Sequence, residues 1–100
     1  MKYLATAMPG PTPVPPERAL DLYKAAGEWI RASLEAGRLD CMYTFAEGGG
    51  MGIGNAQSHE EVYEMLISYP MYGFFRWEVK PLCDWDRVFT AIEGAFRGGG

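Results

Sequence analysis

Between Glu17 and Ala36, small or apolar side chains return every three or four positions: Ala19, Leu22, Tyr23, Ala26, Ile30, Ser33 and Leu34. Glu17, Asp21, Lys24, Glu28, Arg31 and Glu35 fall on the other side. That period predicts an amphipathic helix over 17–36. Pro15 and Pro16 suit its entrance, where a missing N–H costs nothing, and Gly37 suits its exit. After Gly37 the period changes to two. Leu39, Cys41, Tyr43 and Phe45 alternate with Asp40, Met42, Thr44 and Ala46, which predicts a strand over 39–46. Glu47–Gly50 reads as a turn into a second strand over 50–56, whose one face carries only Gly52, Gly54 and Ala56. So bare a face implies close approach of another element or of a ligand.

Ser58-His59-Glu60-Glu61 has the spacing of a capping box, and Val62, Met65, Leu66 and Tyr69 continue an inward stripe to Pro70. A helix over 59–69 follows. Phe75, Trp77 and Val79 then alternate with Arg76, Glu78 and Lys80, giving a strand over 74–81. Trp85, Val88, Phe89, Ile92 and Phe96 form the stripe of a last helix over 84–96, beyond which Gly98-Gly99-Gly100 should fray. Residues 2–8 read as the first strand. Pro9–Pro16, with five of the seven prolines, form a stiff connector.

The order is β-α-β-β-α-β plus a helix. This is an α+β, ferredoxin-like arrangement: one four-stranded antiparallel sheet with two helices on one face, in a single domain over 1–100. The other face must be polar or be buried by a partner. Five aromatics within Tyr69–Trp77 add to that expectation, since aromatics are enriched at interfaces. A homodimer or higher homo-oligomer is therefore expected. The last helix is too apolar to stand free and should dock on a partner subunit or over the sheet edge.

Composition narrows the function. The net charge is −4, with no basic block, so nucleic acid is a poor partner. No apolar run spans a bilayer, and the Met1–Met8 stretch is too short for a signal-peptide core, so the reading is a cytoplasmic protein without membrane association. Two cysteines and one histidine are too few for a Cys/His zinc site, and no metal or cofactor motif is present. Cys41 and Cys83 read as free thiols.

The stretch Asn55–Glu61, then Leu66, Tyr69-Pro70-Met71-Tyr72-Gly73-Phe74-Phe75, Trp77-Glu78-Val79 and Pro81-Leu82 resembles the muconolactone δ-isomerase-like family of the dimeric α+β barrel superfamily. The resemblance covers most of residues 1–83 and lies in caps, turns and core positions. It implies that two sheets pack face to face across a dimer. It also implies a small-molecule pocket between sheet and helices or inside that barrel, and a cofactor-free isomerase moving a proton on a lactone or enol-type substrate. The family's isomerases carry more polar and basic residues in the hairpin strands than Cys41–Phe45 and Gly50–Gly54 do here. The alternative on the same scaffold is a non-catalytic small-molecule-binding or assembly protein.

A proton shift beside a carbonyl needs a base and a donor for the developing oxyanion. Arg76, Glu78 and Lys80 share one strand face at steps of about 6.5–7 Å. If that face is enclosed, Glu78 is the candidate catalytic base. Arg76 and Lys80 would then anchor a substrate carboxylate, with Leu4 or Thr6 of the first strand as the floor. A solvated face or an ion-pair ladder is the competing reading. His59 follows a cap and should be exposed. Tyr23 and Tyr43 sit on apolar faces, as packed phenols would. Asp84 and Asp86 suit a helix start, and Cys83 has no basic neighbour closer than Lys80 to activate it.

Overall fold

The structure is a computed structural model that describes residues 1–99. Strand β1 spans Lys2–Pro9, helix α1 Pro16–Glu35, β2 Leu39–Thr44, β3 Gly50–Asn55, α2 His59–Ser68, β4 Phe75–Leu82 and α3 Trp85–Gly99. A short 3-10 turn at Tyr72–Phe74 precedes β4. The sheet is antiparallel throughout, in the order β2-β3-β1-β4. This is the expected ferredoxin-like topology with an added C-terminal helix. Helix α3 continues past the expected end at Phe96 to Gly99, and Gly100 lies outside the described residues. An Arg97–Glu93 ion pair of 3.1 Å spans the last turns of α3, and a cation near a helix C-terminus is favourable.

Local chemistry explains the element ends. Pro16 opens α1, and the N–H groups of Gly37 and Arg38 close it on the carbonyls of Leu34 and Ser33, with Gly37 at φ +76°. The Ser58 hydroxyl accepts the Glu61 N–H at 3.2 Å. The Glu61 carboxylate reaches one residue beyond the expected cap and accepts the Gln57 N–H at 3.1 Å. The β2–β3 turn uses Gly48 and Gly49 at positive φ. Pro81 sits within β4 and is tolerated because β4 is an edge strand.

The alternation of β2 departs from the regular period. The pairing is irregular between Leu39 and Cys41: Leu39 lies opposite Gly54, and Cys41 opposite Ile53. This bulge leaves Leu39 on the helix-covered face but turns Cys41 and Tyr43 to the open face. Met42 and Thr44 then come in, opposite Gly52 and Gly50. Tyr43, expected in the core, is 66% exposed as a result. The bulged Asp40 pairs with Lys2 and accepts the Asn55 amide at 2.8 Å.

The core forms where α2 lies on β1. Tyr3, Ala5, Ala56, Val62, Met65 and Leu66 are buried together, with Tyr72, Trp77 and Val79 against them. Helix α3 takes no part in it. Every large apolar side chain of its stripe is exposed, from Val88 at 38% to Phe96 at 79%. The molecule is 63 Å long but only 28 by 24 Å across. Its radius of gyration of 17.1 Å exceeds the ~13 Å of a compact chain of this length.

Candidate functional site

The pleat sorts the sequence-level candidates onto two faces. Tyr3, Ala5 and Ala7 of β1 pair with Gly54, Gly52 and Gly50 on one side and with Pro81, Val79 and Trp77 on the other. All of these face the helices. Leu4, Thr6 and Met8 pair with Lys80, Glu78 and Arg76, so those six share the open face. The bare face of β3 and the charged face of β4 therefore do not line one pocket; the sheet lies between them. On the open face the Lys80 ammonium is 3.6 Å from the Glu78 carboxylate, and both side chains are well exposed. The Thr6 hydroxyl donates to the Glu78 backbone carbonyl at 3.5 Å.

The helix-covered face holds a cavity of about 250 Å³. Its floor is Ala5, Ala7, Gly50 and Gly52, where side chains are absent or minimal. Not all the bareness becomes space. The Tyr3 phenol fills the room over Gly54, where an added Cβ would meet its oxygen at 2.6 Å. Met42, Met65 and Leu66 form apolar walls, and Tyr23, Phe45 and Thr44 lie at the side of the β2–β3 turn. Among the described residues no Asp, Glu, His, Lys or Arg lines it.

One wall is an aromatic chain. Trp29 meets Tyr69 edge-on at 5.1 Å, Tyr69 meets Trp77 at 5.7 Å, and Phe75 meets Trp77 at 6.1 Å. Tyr72 stacks on Trp77 from behind at 5.9 Å. Edge-to-face pairs at such separations are favourable beyond their burial. Both indoles are held by hydrogen bonds: Trp29 donates to the Ser68 hydroxyl and Trp77 to the Tyr72 carbonyl, each at 2.9 Å. Four of the five aromatics of Tyr69–Trp77, namely Tyr69, Tyr72, Phe75 and Trp77, thus touch one another within the chain. The sequence reading had credited Trp29 with no role, because it lies beside the helix stripe rather than on it.

The polar content of the cavity is phenol and hydroxyl. Burial, with the neighbouring Tyr23 phenol adding to it, pushes the Tyr69 phenol above its ordinary range. Burial does the same to Tyr3, which donates to the Met65 sulfur at 3.4 Å. Both stay neutral near pH 7. A neutral buried phenol offers a hydrogen-bond donor and no strong base. Tyr23, expected to be packed, is 60% exposed at the cavity side. His59 is exposed, as its place after the cap implied.

No family profile matches the sequence, and no curated protein matches it significantly. Solved structures do match. A crystal structure of muconolactone isomerase superposes with a TM-score of 0.74 at 19% identity, covering 84% of this chain and 90% of that one. The 5-chloro-2-hydroxyhydroquinone dehydrochlorinase of Burkholderia phenoliruptrix, in complex with 2,5-dihydroxybenzoquinone, gives 0.66 at 19% identity, covering 87% and 98%. The fold is that of muconolactone isomerase.

Proposed function

We propose that this protein binds a small, uncharged, planar molecule carrying a carbonyl or hydroxyl oxygen, in the cavity between sheet and helices. The observation that carries this reading is the lining: an aromatic wall, thioether and aliphatic sides, and only neutral phenols and a hydroxyl for polarity. Small-ligand sites have this mostly apolar character with few polar groups. A charged ligand would lose hydration there without a counter-charge. Tyr69 and Tyr23 would supply the hydrogen bonds that orient the ligand oxygen. A structurally similar protein holds 2,5-dihydroxybenzoquinone, a planar ring carrying carbonyl and hydroxyl oxygens. The open sheet face supports a homo-oligomer, and free Cys41 and Cys83 suit a reducing compartment such as the cytoplasm.

The test is tryptophan fluorescence. Trp29 and Trp77 line the cavity, and Trp85→Phe removes the third indole on α3. Titration with 1,4-naphthoquinone should quench the Trp85→Phe variant saturably, and benzoate should not. No quenching by the quinone, or equal binding of benzoate, would overturn the reading.

The isomerase reading has one observation in its favour. Glu78 and Lys80 stand together on the uncovered face with Thr6 beneath, where a second sheet packed face to face would enclose them. Glu78 would then be the base, with Arg76 and Lys80 holding a substrate carboxylate. Ultraviolet assay of muconolactone turnover by wild type and Glu78→Gln separates the two. Turnover lost in a folded Glu78→Gln variant would establish the enzyme. No turnover by wild type alongside quinone binding favours the binding protein.

A further inference from the structure

We propose that Tyr3 is a stop that sets the length of the ligand: the cavity takes an uncharged molecule of two fused rings, with its oxygen at one end, and refuses a third ring in line. This rests on the binding reading, to which it adds the size of the ligand and the residue that selects it.

On the helix-covered face β3 is bare at three successive inward positions, Gly50, Gly52 and Gly54, which pair with Ala7, Ala5 and Tyr3 of β1. Three rows of floor are laid down, and two are open. The Gly50–Ala7 and Gly52–Ala5 rows line the cavity, and Gly54 does not. The Tyr3 phenol lies across that third row. A Cβ placed on Gly54 would meet the phenol oxygen at 2.6 Å and the ring carbon that bears it at 2.7 Å. A Cβ on Gly52 would meet nothing nearer than the Cys41 carbonyl at 3.3 Å.

Tyr3 is fixed in that place. It is 3% exposed and packs in the core with Ala56, Val62 and Leu66. Its hydroxyl donates to the Met65 sulfur at 3.4 Å. Leu39, opposite Gly54 on β2, closes the same end of the cavity.

The ring end of the ligand faces this stop. Tyr23 and Tyr69 take the ligand oxygen. Tyr23 stands about 18 Å before the end of α1. Thr44, at the β2–β3 turn, stands about 17 Å along β2 from Leu39. Tyr23 and that turn therefore share one end of the cavity, and Tyr3 with Leu39 the other. The two open rows lie about 7 Å apart, and the neighbouring strands β3 and β1 about 4.8 Å. The longer direction of the floor runs along the strands, and two fused six-membered rings laid that way cover both rows. A third ring in line needs the Gly54 row.

Selectivity, rather than stability, separates a stop from a packed core residue. Quenching titrations in the Trp85→Phe background compare 1,4-naphthoquinone with 1,4-anthraquinone, which has the same quinone end and one more ring in line. With Tyr3 in place, the anthraquinone should bind at least tenfold more weakly. Tyr3→Leu uncovers Gly54 and should close that gap to threefold or less. Equal or tighter binding of the anthraquinone with Tyr3 in place overturns the stop, and so does an unchanged gap in a folded Tyr3→Leu variant. Either result leaves the binding reading standing. No quenching by either quinone in either chain overturns the binding reading and the stop together. Should Tyr3→Leu fold poorly by near-ultraviolet circular dichroism, Tyr3→Met fills the core with a flexible chain that yields to a ligand. It should narrow the gap at least threefold, and an unchanged gap overturns the stop.

Discussion

Replacing Ala7 by Leu decides whether the space above the sheet is a pocket or part of a filled core. Ala7 faces the helices between Gly50 on β3 and Trp77 on β4, and its methyl group forms floor for the cavity. Leu adds three carbons, each worth ~0.8 kcal/mol when buried. Fixing the new side chain costs about 0.5–1 kcal/mol of rotamer entropy. In an open cavity of about 250 Å³ the net effect is a gain of roughly 1.5–2 kcal/mol. In a packed core the same change costs about 1–3 kcal/mol through strain. The sign is therefore diagnostic. Urea unfolding reads it, and so does the thermal midpoint, at ~4–8 °C per kcal/mol for a domain of this size. The same carbons occupy ligand space, so quenching by 1,4-naphthoquinone should weaken at least ~10-fold, a loss of about 1.4 kcal/mol. A variant less stable than wild type with unchanged quinone affinity would refute both the cavity and its role.

Other outcomes follow from single contacts. Ser58→Ala removes the acceptor for the Glu61 N–H and should lower stability by about 1 kcal/mol, read as a shifted urea midpoint at constant slope. Gly49→Ala forces a side chain onto φ +81° and toward the Ala7 carbonyl. A loss of at least ~1–3 kcal/mol is expected, and a neutral result would mean that the hairpin turn differs. Tyr69 is raised by burial, so its contribution is complete below the unfolded phenol value near 10 and is lost as pH climbs through the folded value. Tyr69→Phe should therefore flatten the fall of stability above about pH 10, and an identical alkaline limb in both proteins would contradict the burial. Asp40 is held below its usual range by Lys2 and then Asn55, so its contribution is present above pH ~4 and fades as the carboxyl protonates. Asp40→Asn should lose the part of the acid transition due to this cluster.

The elements were legible because their signals are local. Periodicity, the Ser58–Glu61 cap and Gly37 depend on residues within a turn of each other, and the structure has them where the sequence puts them. The strand order also followed, since few topologies join a split βαβ. What escaped was parity. Nothing in Leu39-Asp40-Cys41 announces that Asp40 is bulged, because the cause lies on β1 and β3 in Lys2 and Asn55. The cavity escaped for a related reason. The bareness of Gly52, Gly54 and Ala56 was visible, but which face of β4 it shares is settled by the β1–β4 register. Trp29 joined the site through contacts with Ser68 and Tyr69, roughly forty residues away.

The bulge at Asp40 acts on β2 as a reading frame acts on a message. The six residues Leu39–Thr44 can present either of two walls to the cavity. In the frame set here, Met42 and Thr44 look inward and the wall is thioether and hydroxyl. Slip the strand by one residue against β3 and Cys41 and Tyr43 take their places, giving a thiol and a further phenol. The change needs no substitution at the wall itself, only one residue more or less in the Phe45–Gly49 turn with the bulge absorbed. On such a strand, an insertion or deletion outside the cavity rewrites the chemistry inside it. Ligand choice in proteins of this shape can thus diverge in single jumps of length as well as by gradual exchange of side chains.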